Sequence, residues 1–239
     1  MKLTKYEIAQ MFDLSAVKAN DDESYIRSMV DCARKYRCLA VFSLPSNVPL
    51  MKRMLDEDTT VLLGGSVGFP SGGHTTNIKV AEAKELIEMG CRELDMVINI
   101  GKLISGRYSE VLDDIKAVID AANSIPVKVI LECHYLNEAQ IRKACDLCIE
   151  AGASWVKTST GWAPTGATLE NITLIRQHVG NAIGIKAAGG IRDLGTIINL
   201  YKRGARRFGL SLQAAQKILD EVYSLPNEVI DFDLDENFE

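Results

Sequence analysis

Two stretches decide the fold, W-V-K-T-S-T-G at residues 155–161 and I-G-I-K-A-A-G-G at residues 183–190. Each begins as a short apolar run and ends in small or hydroxylated residues, the pattern of a buried strand followed by a turn. Between them, Thr168 is a candidate helix N-cap, Gly180 is a candidate helix end, and the apolar face consists of Leu169, Ile172, Ile175 and Val179. Because the strands are continuous apolar runs joined by a helix, they are predicted to be parallel and buried on both faces.

The same strand–helix unit repeats along the chain. Further strands are predicted at 10–14, which is the weakest candidate, and at 38–42, 61–67, 93–100, 127–132 and 207–210. Further helices are predicted at about 22–36, 47–56, 77–89, 104–122, 137–151, 193–203 and 211–222. Eight such units in 239 residues predict an α/β fold, a single-domain (β/α)₈ TIM barrel with eight parallel strands. A doubly wound open sheet is the alternative, but the G-x-G-x-x-G typical of its first turn does not occur.

The charge of the chain is concentrated at its C-terminal end. The sequence has 27 basic and 32 acidic residues, which gives a net charge of −5. Five of the acids are among the last nine residues, so the remaining chain holds 27 residues of each sign. A neutral body is not expected to bind the phosphate backbone of nucleic acid. We therefore predict a barrel domain over 1–230 and an acidic tail over 231–239 that is a solvated end, with a flap over the active-site mouth as the alternative.

The cysteines and the apolar runs bear on location. Hydrophobic residues make up 47% of the chain, a composition typical of globular proteins. None of its apolar runs approaches the length of a membrane span. The N-terminal residues show no secretory signal pattern, so the six cysteines are predicted to be reduced thiols in a cytoplasmic protein. Cys145 and Cys148 form a C-x-x-C, which is open to a redox or zinc interpretation. Their spacing with Ile141 and Ile149 instead favours the buried stripe of a helix.

Three charged residues interrupt the predicted strands. Asp95 lies in E-L-D-M-V-I-N-I, Lys157 in W-V-K-T-S and Lys186 in G-I-K-A-A. Charges are rarely buried unless they are paired or functional, and a second ammonium group lowers the pKa of the first. A neutral lysine amine can attack a carbonyl and form a Schiff base. The alternative is a structural ion pair of Asp95 with one lysine, which would leave the other unpaired. Lys128 begins its strand, so we expect it to point to the opposite, non-catalytic face of the barrel.

Glycines and hydroxyls follow these strands. Thr160 and Gly161 come after Lys157, Gly189 and Gly190 come after Lys186, and Ser211 opens the last helix. Backbone amides in such turns bind phosphate, and loops after the last strands are the usual phosphate site of barrels. The three histidines are scattered and show no metal-binding spacing, so no metal is expected. A Cys133–His134 nucleophilic pair is disfavoured because adjacent strand residues point to opposite faces.

These residues together resemble deoxyribose-phosphate aldolases. The resemblance is carried by G-F-P-S-G at 68–72, E-L-D-M-V-I-N-I-G at 93–101, V-K-T-S-T-G at 156–161, G-I-K-A-A-G-G-I-R at 184–192 and R-F-G-L-S at 207–211. It implies a class I aldolase on a (β/α)₈ barrel without cofactor or metal, acting on phosphorylated sugars and aldehydes. It also implies catalytic residues Lys157 for the Schiff base, Lys186 to tune its pKa and Asp95 to move protons through a water, and substrate-binding residues Thr160, Gly161, Gly189, Gly190 and Ser211.

Several features differ from the family pattern. Leu212 replaces a frequent second serine, Trp162 follows the T-S-T-G turn where lysine or phenylalanine is common, and Phe42 replaces a frequent cysteine. Asp13 lies in a shortened version of the first-strand motif and is a candidate for assisting proton transfer. His134 is a candidate for contacting the substrate. A paralogous aldolase with another hydroxy-aldehyde substrate and a non-catalytic sugar-phosphate-binding barrel therefore stay open, and so does a homodimer as the assembly.

Overall fold

Eight parallel strands of the chain close into a barrel, as the apolar runs predict. The structure is a computed structural model that describes residues 1–55, 60–225 and 229–232. Strand β1 (Lys2–Thr4) precedes the barrel, and the barrel strands follow in chain order: β2 (Phe12–Ala16), β3 (Ala40–Ser43), β4 (Leu62–Val67), β5 (Glu93–Val97), β6 (Val127–Ile130), β7 (Trp155–Lys157), β8 (Gly184–Ala188) and β9 (Arg207–Leu210). Each pairs in parallel with the next, and β9 returns to β2 through Phe12 and Phe208. The predicted TIM barrel is confirmed.

The helices cover the outside of the barrel. They are α1 (Lys5–Ala9), α2 (Glu23–Tyr36), α3 (Val48–Met54), α4 (Thr76–Glu88), α5 (Ile100–Ile104), α6 (Tyr108–Ala122), α7 (Glu138–Ala151), α8 (Leu169–Val179), α9 (Leu194–Lys202) and α10 (Leu212–Tyr223). Short 3₁₀ turns lie at Pro45–Asn47 and Cys133–Tyr135. The helix predicted at 104–122 corresponds to α6, which begins four residues later, and α5 was not predicted; the chain turns between the two helices at Gly106, whose φ is +72°. A left-handed residue ends a right-handed helix.

The strands are buried on both faces, which explains why their sequences do not alternate. Every residue of β3, β5 and β6 is buried, since helices cover one face and the barrel interior the other. The register makes Asp95 and Lys128 direct neighbours, and likewise Lys157 and Lys186. Charged side chains from adjacent strands therefore project into one interior, and this positions the site described below.

The two ends of the described chain meet outside the barrel. Strand β1 pairs antiparallel with β10 (Val229–Asp231), and the rings of Tyr201 and Phe232 lie 5.7 Å apart. The predicted boundary between domain and tail at residues 230 and 231 thus falls inside β10. Residues 233–239 lie outside the described residues, so the solvated acidic end stays a prediction. Within the described ranges, no helix is both long enough and apolar enough to cross a membrane.

The C-x-x-C on α7 belongs to the hydrophobic core. Cys145 and Cys148 are free thiols, both buried against the barrel wall with Ile141. Burial raises the pKa of Cys145 to about 12 and that of Cys148 well above its ordinary value, so neither supplies a thiolate for metal or disulfide chemistry at neutral pH. Ile149, expected on the same stripe, is exposed because it lies about 100° around the helix from Cys148.

Candidate active site

Asp95, Lys157 and Lys186 meet inside the barrel. They come from β5, β7 and β8, and the register of these strands turns all three side chains inward. Oδ2 of Asp95 accepts hydrogen bonds from Nζ of Lys157 at 2.8 Å and from Nζ of Lys186 at 2.7 Å. One carboxylate oxygen therefore holds two ammonium groups together in a buried space. The expectation that an ion pair would leave one lysine unpaired is wrong, since Asp95 contacts both.

The environment of Lys157 favours its neutral form. The pKa of Lys157 is lowered from 10.5 to about 8, because burial and the ammonium of Lys186 together outweigh the opposing charge of Asp95. For Lys186, burial works in the same direction, but the carboxylates of Asp13 and Asp95 overcome it and raise the pKa above its usual value. Two neighbouring lysines thus have pKa values pushed apart. Lys157 is suited to act as a nucleophile, and Lys186 to remain a cation.

A charge network extends below these three residues. Nζ of Lys186 lies 2.6 Å from Oδ2 of Asp13, and Arg207 bonds both Asp13 and Glu93. The ammonium groups of Lys157, Lys186 and Lys128 outweigh the cost of burial and hold the pKa of Asp95 well below its ordinary value. Sequence reasoning missed Glu93 and Arg207, although both are charged residues at the start of apolar strands. Inspection of strand starts would have found them.

Lys128 does not point to the far face of the barrel, as its place near the start of β6 suggested. Its Nζ lies inside, 2.6 Å from Oε2 of Glu93 and 3.3 Å from Oδ1 of Asp95. It also lies 4.7 Å from the centre of the Phe42 ring, and Lys186 is 4.5 Å from that ring. The long side chain bends toward the carboxylates because a buried ammonium needs a counter-charge. Phe42, which replaces the frequent cysteine, therefore packs against two of the cations.

A cavity of about 290 Å³ opens above the network. Its lining includes seven of the eight residues that the sequence singles out: Asp95, Lys157, Thr160, Gly161, Gly189, Gly190 and Ser211. The eighth, Lys186, is fully buried beneath Asp95. The glycines have φ values between +79° and +84°, a region that other residues rarely adopt. Ser211 is the N-cap of α10, its hydroxyl accepting the amide of Ala214. The loops after β7, β8 and β9 therefore converge on one pocket.

Alanine at Gly189 and Gly190 should separate backbone strain from crowding in these turns. Both positions have positive φ, so both substitutions strain the backbone. A Cβ on Gly189 would lie 2.6 Å from Oγ of Ser159 and 3.0 Å from Cα of Gly166, whereas one on Gly190 meets nothing within 4 Å. We expect Gly189→Ala to lower kcat/KM for a phosphorylated sugar about tenfold more than Gly190→Ala, since the turn must move. Steady-state kinetics and melting temperatures check this. Equal effects would contradict it.

Glu132 is a site residue that the sequence did not suggest. It follows β6 with a left-handed φ of +55°, and its carboxylate accepts the backbone N–H of Thr160 at 3.2 Å and the Thr160 hydroxyl. Burial raises the pKa of Glu132, while the hydrogen bonds from Thr160 oppose the rise. The carboxylate thereby fixes the turn that leads into Gly161. A glutamate at the end of an apolar strand is the signal that was available in the sequence.

The strand predicted at 127–132 ends at Ile130, and this changes the surroundings of Cys133 and His134. Both residues lie in a 3₁₀ turn. Burial raises the pKa of the Cys133 thiol, and Nδ1 of His134 lies 2.7 Å from the hydroxyl of Thr165. The His134 ring thus contacts Thr165, and the Cys133 thiol is buried. In the described part of the chain, no three His, Cys, Asp or Glu side chains are placed to hold a metal ion.

The chain is similar to known aldolases over most of its length. A profile described as DeoC/LacD family aldolase matches residues 8–212. The deoxyribose-phosphate aldolase of Klebsiella pneumoniae subsp. pneumoniae is 47% identical over 98% of this chain and 95% of its own, and that of Sinorhizobium medicae is 43% identical over 96% and 92%. Among solved structures, the aldolase QR15 has a TM-score of 0.85 at 37% identity, covering 90% of this chain and 96% of its own. The tetrameric deoxyribose phosphate aldolase of Aeropyrum pernix has a TM-score of 0.84 at 26% identity, covering 92% and 93%.

Proposed function

The chain belongs to the DeoC/LacD family of aldolases, and we propose that it reversibly cleaves 2-deoxy-D-ribose 5-phosphate into acetaldehyde and D-glyceraldehyde 3-phosphate. In this proposal the reaction proceeds through a Schiff base on Lys157 and serves deoxyribose phosphate catabolism. Support comes from relatives that bear the name deoxyribose-phosphate aldolase and match nearly the whole chain. The observation that carries the chemistry is Lys157, a buried lysine with a pKa of about 8 in the wall of a cavity.

Lys157 begins the reaction as a free amine. With a pKa of about 8, about a quarter of Lys157 is neutral at pH 7.5, compared with about one in a thousand at its ordinary value of 10.5. The amine attacks C1 of the open-chain sugar, and loss of water gives a protonated imine. The imine withdraws electrons as the C2–C3 bond breaks and the C3 hydroxyl loses its proton. Protonation of the resulting enamine and hydrolysis release acetaldehyde and restore the lysine.

Asp95 and Lys186 handle the charge and the proton. Asp95 lines the cavity, and its Oδ1 lies 3.3 Å from Lys128 without hydrogen-bonding geometry, so that oxygen retains capacity to accept a bond. We propose that Asp95 receives the C3 hydroxyl proton through a water, a step typically worth about 10²–10⁴-fold. Lys186 stays protonated beneath Asp95, and its charge lowers the pKa of Lys157. Thr160 and Gly161 would contact the sugar, and Gly189, Gly190 and Ser211 the phosphate.

The two alternatives find no support in the site. In Lys157, burial and a second ammonium lower the pKa to about 8, which favours a nucleophilic amine. A barrel that only binds a sugar phosphate does not require such a lysine. An aldolase for another hydroxy-aldehyde remains the second candidate only through the sequence differences at Phe42, Trp162 and Leu212. No observation favours a particular other substrate over deoxyribose 5-phosphate.

Trapping of the imine tests the proposal. The protein is incubated with acetaldehyde and sodium borohydride, digested and mapped by mass spectrometry, and release of acetaldehyde from deoxyribose 5-phosphate is measured in parallel. We expect an N-ethyl group on Lys157 and turnover of the phosphorylated sugar. Lys143, a half-buried lysine whose Nζ lies 5.2 Å from the centre of the Tyr108 ring, is the internal control and should stay unmodified. An adduct elsewhere, or one that survives in Lys157→Met, would sink the assignment.

Location and assembly are proposed on separate grounds. We propose that the protein acts in the cytoplasm, a reducing compartment that suits its six buried, free cysteines. The expected partners are phosphorylated sugars and aldehydes, with no nucleic acid and no membrane. A homodimer stays a prediction, and the relative from Aeropyrum pernix is described as a tetramer.

A further inference from the structure

A lysine outside the catalytic network reaches the glycine turns of the cavity. Lys18 lies in the loop between β2 and α2, and its Nζ donates a hydrogen bond to the carbonyl of Gly161 at 2.5 Å. A Cβ placed on Gly161 would lie 3.9 Å from Cα of Gly189, so the turns after β7 and β8 are adjacent at this point. Lys18 itself lines the cavity together with Gly189 and Ser211. Its ammonium therefore lies beside the turns proposed to bind phosphate.

The ammonium of Lys18 is held in place although the side chain is exposed. Nε1 of Trp162 donates to the carbonyl of Val17 at 2.8 Å, which fastens the loop to the turn after β7. The Lys18 ammonium lies 5.6 Å from the centre of the Trp162 ring, and the Lys18 amide donates to Oδ2 of Asp21 at 2.8 Å. A cation next to an aromatic face and a carbonyl is restrained, and restraint lowers the entropy lost when it binds a ligand.

Part of the hydrogen-bonding capacity at the N-terminus of α10 is already used within the protein, which leaves less of it for an anion. The amide of Leu212 already donates to the hydroxyl of Tyr25 at 3.1 Å, and the hydroxyl of Ser211 accepts the amide of Ala214. Side-chain cations must therefore supply more of the attraction for a phosphate. Lys18 and Arg192 are the cations at the rim of the cavity, and the carboxylate of Asp21 also lines it and opposes them.

We propose that Lys18 is a substrate-binding residue that determines the preference for a phosphorylated sugar. Its ammonium contacts a phosphate oxygen from the β2–α2 loop, beside the Gly189–Gly190 turn, and Trp162 positions the loop that carries it. The proposal rests on the aldolase function proposed above. It assigns the loop between β2 and α2 to recognition, and leaves the bond-breaking chemistry to the residues of the barrel interior.

The test compares two substrates in matched variants. For the wild type, Lys18→Met, Lys18→Arg and Lys143→Met, kcat/KM is measured for deoxyribose 5-phosphate and for deoxyribose. We expect the ratio of the two values to fall about tenfold in Lys18→Met, the loss typical of a charge-assisted hydrogen bond at an exposed site. Lys18→Arg should keep most of the ratio, and Lys143→Met should keep all of it, because Lys143 stacks on Tyr108 away from the cavity.

Two further measurements separate the possible outcomes. Inorganic phosphate should inhibit cleavage of deoxyribose, with an inhibition constant that rises about tenfold in Lys18→Met, and the wild-type ratio should fall with added potassium chloride. An unchanged ratio in Lys18→Met, or an equal loss on both substrates, would overturn the proposal, the second outcome showing a role in shaping the turn. Absence of a borohydride adduct on wild-type Lys157 would instead refute the aldolase function.

Discussion

Replacing Lys157 by methionine is expected to lower turnover of deoxyribose 5-phosphate by about 10⁴-fold or more, because the variant lacks the buried amine proposed to form the imine. Lys157 is the lysine that lines the cavity beside Asp95, and the second lysine of the pair, Lys186, is fully buried below it. Methionine keeps an unbranched chain of similar length without the amine. Acetaldehyde release from purified protein, together with the borohydride adduct, measures the loss.

The stability of the same variant distinguishes a chemical defect from a folding defect. Lys157 has a folded-state pKa of about 8 and an ordinary value of 10.5, so its folded form binds fewer protons between these values. The free energy of unfolding of the wild type therefore rises by up to about 3 kcal/mol as pH rises through this window. Below pH 8 the charged side chain of Lys157 destabilises the folded state. We expect Lys157→Met to melt no lower than wild type at pH 7, with the difference shrinking toward pH 10. A variant that is unfolded, or that retains more than about one hundredth of wild-type turnover, would contradict this account.

Lys186→Met is expected to move the rise of kcat/KM to higher pH. Burial and the Lys186 ammonium lower the pKa of Lys157, while Asp95 raises it. Without Lys186 one of the two lowering influences is lost while Asp95 still acts, so Lys157 stays protonated to higher pH and the half-maximal pH should rise from about 8 by about one unit. Turnover at pH 7.5 should fall about tenfold or more and recover in part at pH 9.5. The pH–rate profile of kcat/KM checks this.

A second buried lysine provides the control. Lys79 on α4 is also fully buried, and its Nζ lies 2.6 Å from Oδ2 of Asp114, outside the barrel interior. Breaking either buried pair leaves carboxylates without their partner and costs about 3–5 kcal/mol, so Lys79→Met and Lys186→Met should both melt lower than wild type. Only Lys186→Met should shift the pH profile. An unshifted profile in that variant would refute the electrostatic role of Lys186.

Much of the fold is predictable from local sequence. Even the weakest strand candidate, 10–14, corresponds to β2 (Phe12–Ala16), displaced by two residues. Apolar runs buried on both faces leave a strong signal, and caps such as Asn137 and Thr168 mark helix starts through their own side chains. The short helix α5 was not predicted, since five residues are too few to show a helical period of apolar positions.

The site is predictable where a charge stands out against its strand. Asp95, Lys157 and Lys186 are flanked by apolar residues, and the structure brings all three together. Lys128 has the same flanks, yet its inward direction was not predicted, because carboxylates from β2 and β5 attract it. Lys18 lies in a connection, where a charged residue is ordinary and carries no signal.

The sequence by itself determined the (β/α)₈ barrel and singled out Asp95, Lys157 and Lys186, because both follow from the apolar runs and from the charges that interrupt them. The choice of Lys157 as the reacting lysine comes from the resemblance to aldolases and stays a proposal. Only the tertiary structure decided how the charges work together. The order of two adjacent lysine pKa values depends on which carboxylates each ammonium meets, and these come from β2 and β5, more than sixty residues away along the chain. Coulomb interactions depend on distance in space, which only barrel closure sets.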